Sequence, residues 1–176
     1  MIPNFCQYMK TLGLKLLTPT TCSWKLLRAD WINERYTLYV IVVGCGTTGI
    51  KVAEWLMASG AEVTLIEKIA EKQRLADNLL GSVVVLGDGT MIDTQNTAGT
   101  ERAAVFISTL RSDEDNMLAC QIAKHYFEVD RTIAMSGNPD NAKLLSLLGI
   151  DIVVDVTELI TEKIQSLVAP MLVEDL

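Results

Sequence analysis

The stretch VIVVGCGTTGIKVAEWLMASGAEVTLIEK, residues 40–68, decides the fold. It runs from an apolar segment through a glycine-rich turn into a helix-like segment, then into a second apolar run that ends in an acid. Gly44, Gly46 and Gly49 form GxGxxG directly after a predicted strand and at the start of a predicted helix. In such a turn the first glycine allows the sharp bend, the second lets a pyrophosphate approach the backbone, and the third lets helix and strand pack closely. The amides and dipole at the helix start favour phosphate charge. Gly44, Cys45, Gly46, Thr47, Thr48 and Gly49 are therefore the first candidate binding residues.

Glu67 ends the second apolar run, 18 residues after Gly49. A carboxylate there can accept hydrogen bonds from ribose hydroxyls and would repel a 2′-phosphate. Glu67 and the adjacent Lys68 join the candidate set, and the expected ligand is NAD(H) before NADP(H). The plainer alternative is a tight turn with Glu67 facing solvent at a helix start.

The same rhythm continues outward. Short apolar runs lie at 38–43, 62–66, 82–86, 103–107, 132–135 and 151–154, separated by helix-compatible segments at 48–59, 70–79, 91–98, 113–128, 139–148 and 156–168. Near-continuous Val and Ile in the short runs implies strands covered on both faces, which requires crossover helices. The expected fold is α/β, a Rossmann-like doubly wound, mostly parallel sheet of six strands. Capping-box spacing joins Thr90 with Asp93, Ser112 with Asp115 and Asp155 with Glu158, while Asn138 precedes Pro139 as a cap. Gly60 and Gly149 stand where helices can end.

Residues 1–37 do not share this rhythm. Pro3, Pro19 and the TPTT stretch interrupt them, and Trp24 and Trp31 read as packing residues of an arm or linker. The expected organisation is an arm over 1–37, a nucleotide-binding domain over 38–155, and a final helix and tail over 156–176.

Composition narrows the function classes. With 176 residues, the chain fits one full-sized domain. A formal charge of −7 argues against broad attraction to nucleic acid or anionic lipid. Cys6, Cys22, Cys45 and Cys120 are scattered, without metal or redox spacing, so reduced thiols in a cytoplasmic protein and no metal site are expected. No apolar run reaches membrane-spanning length, so no direct membrane insertion is expected.

Further candidates follow the third and fourth runs, at the edge where open parallel sheets bind ligands. Asp88 can accept a bond from an adenine amine or order its loop. Thr109 and Arg111, with Ser108 beside them, can face phosphate or ribose, or cap the following helix. His125, the only histidine, and Tyr126 read as helix-surface or packing residues. No nucleophile with its base is apparent, so no catalytic residue is assigned.

The segment from about Val40 to Leu167 resembles the ligand-binding N-terminal domain of the regulator of potassium conductance family, the RCK or TrkA-N fold. The resemblance rests most on LGDGTMIDTQNTAGTERAAVFISTLRSDEDNMLACQIAK, residues 86–124, with its landmarks Gly87, Asp88, Thr90, Ala98, Gly99, Thr109, Asp113, Asp115 and Asn116. The later NPDNAKLLSLLGIDIVVD is similar to the family's last helix and strand. This resemblance implies a domain that binds NAD(H), or alternatively ATP or ADP, and transmits ligand state instead of catalysing. It implies a homodimer or higher homo-oligomer acting on a membrane potassium channel or transporter subunit, at the inner face of the membrane. It places the ligand on Gly44, Gly46, Gly49, Glu67 and Asp88. The helix near Asp155 would cross to a partner subunit through Leu159, Ile160, Ile164 and Leu167, a face that a monomer would use as core. Thr47 stands where the family often carries an arginine.

The competing readings are an S-adenosylmethionine-dependent methyltransferase, a small NAD-dependent oxidoreductase and a non-binding interaction module. A terminal antiparallel hairpin would favour the methyltransferase, and a sixth parallel strand would oppose it.

Overall fold

In the computed structural model, residues 37–173 are described. The expected arm therefore lies outside the described residues, apart from Thr37. Six strands, β1 (Tyr39–Val43), β2 (Glu62–Glu67), β3 (Val84–Leu86), β4 (Val105–Ser108), β5 (Arg131–Ser136) and β6 (Ile152–Asp155), form one sheet in the order β3-β2-β1-β4-β5-β6. Every pairing is parallel. The helices are α1 (Thr47–Ala58), α2 (Ala70–Leu80), α3 (Ile92–Thr97), α4 (Asp113–His125), α5 (Pro139–Leu147) and α6 (Val156–Val173).

The sequence of β1 explains the layers. All five residues of YVIVV are buried, and because successive side chains of a strand face opposite ways, they feed two cores. Tyr39, Ile41 and Val43 join Phe106, Ala119 and Cys120 on one side. Val40 and Val42 join Leu65, Ala53, Leu56 and Ala76 on the other. Burial of each large apolar side chain is worth on the order of 2 kcal/mol, so the central strand anchors both layers.

Register then positions the site. Val43 pairs with Ile66 of β2 and with Ser108 of β4, so the residues that follow these three emerge together at the carboxyl edge. The chain proceeds from β1 to β2 and β3 on one side, then to β4 on the other. That reversal makes the crevice above β1 and β4 the switch point where such sheets bind ligands. β6 pairs parallel to β5, which opposes the methyltransferase reading.

Most cap signals operate. Ser112 Oγ accepts from Asp115 N, Asn138 Oδ1 from Asp140 N, and Asp155 Oδ1 from Glu158 N. The expected box of Thr90 and Asp93 does not form. Thr90 instead donates its amide and hydroxyl to Asp88 Oδ1, at 2.9 and 2.7 Å, a local turn that competes with the helix cap. Helix α4 ends at His125, three residues earlier than expected. The chain leaves it through Glu128 at φ 55°, with Val129 N returning to Ala123 O. Helix α6 follows β6 without a loop, and Leu159, Ile160, Ile164 and Leu167 are each more than half exposed. Among the described residues, that face is not part of the core.

Candidate functional site

The glycine turn is shaped from within. Gly44 has φ +99°, a backbone region that favours glycine, and its amide donates to Ile66 O at 2.8 Å. A Cβ on Gly49 would lie 1.9 Å from Gly44 O and 2.8 Å from Thr109 Oγ1, so only a glycine lets α1 start this close to β1. Gly46 differs: a Cβ there would meet nothing within 4 Å. The second glycine therefore faces open space. Gly46 caps α1 with no side-chain hydrogen bond, and the first turn of α1 holds no acid. Among the described residues, the amides of Gly46, Thr47, Thr48 and Gly49 have no protein acceptor. Thr47 and Thr48 are exposed on this turn.

Glu67 is 6% exposed and both its oxygens are engaged. Oε2 accepts from Cys45 N at 2.8 Å and Oε1 from Ile69 N at 2.9 Å. The acid at the end of β2 thus clamps the glycine turn onto its own strand. A carboxylate oxygen has two lone pairs, so each keeps one acceptor position beyond these bonds. Cys45 contributes its amide to this clamp, while its side chain lies in the core under α1. Burial first, then the charge of Glu67, push its thiol up to about 12, leaving it neutral at physiological pH.

Thr109 latches the turn from the other side. Its Oγ1 lies 2.9 Å from Val43 O and 3.3 Å from Gly44 O, and its amide donates to Val43 O. It braces the turn, whereas the sequence allowed phosphate contact or capping. Asp88 stands at the end of β3. The Thr90 hydroxyl and then the Thr90 amide hold its carboxyl below the usual range, with the charge of Lys68 adding to them. Both Thr90 bonds fall on Oδ1, which leaves Oδ2 as a free acceptor. The loop carrying Asp88 packs tightly: a Cβ on Gly89 would lie 2.3 Å from Val43 Cγ1, and Gly87 N donates to Glu67 O. Lys68 and Arg111 are exposed. The structure thus brings the glycine turn, Glu67, Thr109 and the Asp88 loop into contact, and leaves Arg111 outside that set.

Three architectural residues carry roles that sequence alone did not assign. Asn116 is 1% exposed and uses its full amide. Oδ1 accepts from Ser108 Oγ and Leu110 N, and Nδ2 donates to Leu110 O and Met135 O. Asp113 Oδ1 accepts from Gly137 N, while Oδ2 accepts from Ser136 Oγ and Asn141 Nδ2. Gln95, fully buried, donates to Gly89 O and Ala119 O and so fixes the Asp88 loop. His125 ends α4, which starts at the carboxyl edge, so the histidine lies at the opposite edge from the turn. Among the described residues no group of acids, cysteines and histidine is arranged to hold a metal, and no helix is long and apolar enough to cross a membrane.

The sequence model of the TrkA-N domain family matches residues 40–156. A Trk system potassium uptake protein TrkA homolog of Methanothermobacter thermautotrophicus is 34% identical over 117 residues, which are 66% of this chain and 54% of that protein. The chain thus spans about half the length of this curated relative. Among solved structures, the TrkA-N domain of inner membrane protein ybaL from Escherichia coli superposes with TM-score 0.69 at 21% identity, over 76% of this chain and 98% of that one. The GsuK channel bound to NAD gives TM-score 0.60 at 26% identity, over 68% of this chain and 21% of that one. GsuK bound to ADP gives 0.58 at 26% identity, over 66% and 30%.

Proposed function

The chain belongs to the TrkA-N domain family, and from that premise we propose that it is a nucleotide-sensing regulatory domain of a potassium transport or channel system. One observation carries this reading: among the described residues, four unpaired amides at the start of α1 open onto the switch-point crevice, between the buried Glu67 carboxylate and Asp88 with its free oxygen. The ligand is NAD(H), with ADP or ATP as the alternative, bound by the backbone of Gly44 to Gly49 and by Glu67 and Asp88. The buried Glu67 carboxylate disfavours a 2′-phosphate. The likeness to GsuK, a channel seen bound to NAD and to ADP, supports the same ligand class.

The role is regulatory. No residue of the turn pairs a nucleophile with a base, and the only histidine lies at the far edge of the sheet. The exposed apolar face of α6 provides a surface for a second copy of the chain, so that ligand binding can favour one oligomer geometry over another when its affinity differs between them. The membrane partner is a potassium transporter or channel subunit, which would hold the domain at the cytoplasmic face.

The test is calorimetry on nucleotide-stripped protein with NADH, NAD, ADP, ATP and S-adenosylmethionine, using Gly46→Ala as the control. Saturable NADH or adenine-nucleotide binding that Gly46→Ala weakens is the expected result. Well-folded protein that binds none of them, or binds only S-adenosylmethionine, would overturn the proposal.

A further inference from the structure

Hydrogen bonds run along the carboxyl edge from the glycine turn to the first turn of α6. Thr109 Oγ1 holds Val43 O and Gly44 O. The next residue, Leu110, is bonded at both its amide and its carbonyl to Asn116, at 2.8 and 3.0 Å. The same Asn116 Nδ2 reaches Met135 O at 2.9 Å. Beside Met135, Ser136 Oγ and Gly137 N both donate to Asp113, each at 2.9 Å. The carbonyl of Gly137 then accepts from Thr157 Oγ1 of α6 at 2.7 Å.

Two features give this run mechanical meaning. Asn116 has used both donors and two acceptor positions, and Ser108, Asn116 and Ser136 are buried, so the middle of the run has little room to yield. The far end is different. From Thr157 to Ala169 α6 is exposed, and a groove of about 660 Å³, lined by Pro139, Ala142 and Ser146 of α5 and Thr157, Thr161 and Gln165 of α6, separates the two helices. Among the described residues, Thr157 makes the only side-chain hydrogen bond from α6 to a segment outside β6 and α6. Thr157 thus ties the first turn of α6 to the Gly137 peptide, beside its continuous junction with β6.

We propose that Thr157, acting through Gly137 and Asp113, is the positioning residue that passes occupancy of the glycine turn to the direction of α6. This inference rests on the nucleotide-binding reading above. A ligand that draws on the amides of Gly46 to Gly49 displaces the turn against Thr109. The fully bonded Asn116 carries that displacement to β5 and the Gly137 peptide.

The experiment compares the full chain with Thr157→Val, which keeps the shape and removes the hydroxyl, and Thr157→Ser, which restores it. Amide hydrogen exchange of residues 156–169 is followed with and without saturating NADH, and NADH binding is measured by calorimetry on the same samples. In the wild type, NADH should change exchange in α6 by about fivefold or more, the lower end of ordinary allosteric coupling. Thr157→Val should still bind NADH and melt with the wild type, since the position is exposed, yet lose that response, and Thr157→Ser should recover it. A full response in Thr157→Val, or NADH binding by the wild type without any change in α6, would overturn the relay and leave the nucleotide site standing. Failure of the wild type to bind NADH would overturn the nucleotide reading itself, and the relay with it.

Discussion

Alanine at Gly49 and alanine at Gly46 should damage different properties. A Cβ at Gly49 lies 1.9 Å from Gly44 O, whereas ordinary carbon contacts settle at about 3.5 Å. Relief therefore requires more than 1 Å of movement by a backbone carbonyl that Thr109 also holds, or withdrawal of the whole start of α1 from β1. Overpacking in a well-filled region costs about 1–3 kcal/mol, and a clash with backbone belongs at the upper end, near ~3 kcal/mol. Gly46 has no atom within 4 Å of its Cβ position and an extended backbone at φ −77° and ψ 177°, so alanine there should cost less than about 1 kcal/mol, mainly as a weaker helix cap. Its methyl group would instead occupy the space a pyrophosphate needs. Urea unfolding should show a much lower midpoint for Gly49→Ala than for Gly46→Ala, and calorimetry should show NADH affinity reduced at least about tenfold in Gly46→Ala, equivalent to ~1.4 kcal/mol. Equal stability of the two variants would refute the packing argument. Unchanged NADH affinity in a folded Gly46→Ala protein would refute the assignment of the turn as the phosphate site.

Other perturbations test the frame around the site. Asn116→Ala leaves Ser108, Leu110 and Met135 with unpaired polar groups in the interior, so urea unfolding should register a loss on the order of 3 kcal/mol or more. Asp151 sits with Lys124 and accepts from both the amide and hydroxyl of Thr132; burial alone would raise its carboxyl, but these partners outweigh it and bring it from 3.8 down to about 2. Its folded value is the lower one, so its stabilising contribution, about 1 kcal/mol once solvent screening of this exposed pair is counted, is complete above about pH 4 and disappears as pH falls through 2. Asp151→Asn should flatten the stability profile over that window, and a profile unchanged from wild type would contradict the pairing. Burial pushes the thiols of Cys45 and Cys120 up to about 12, so alkylation followed by peptide mass spectrometry should label both only under unfolding conditions.

The strand and helix pattern was legible because it depends on periodicity, which each segment carries in itself. YVIVV reads as a strand buried on both faces, and β1 is one. Side-chain partners were less legible, because they depend on register between segments distant in sequence. Thr90 and Asp93 had capping-box spacing, but Asp88 lies two residues before Thr90 and takes its hydroxyl and amide first. Asn116 stood out only as a landmark, since nothing in the sequence shows that Leu110 and Met135 will meet it. Glu67 shows how this changes an experiment. Its position after β2 suggested a ribose acceptor, yet the pairing of Val43 with Ile66 also puts the Cys45 amide against its carboxylate. Replacing Glu67 with alanine would therefore release the glycine turn as well as remove a ligand contact, and weaker binding could follow from either. An added Cβ at Gly46 meets nothing within 4 Å, and the bond from Ile50 N to its carbonyl is kept. A methyl group there separates ligand contact from turn stability, which makes Gly46→Ala the cleaner probe of the site.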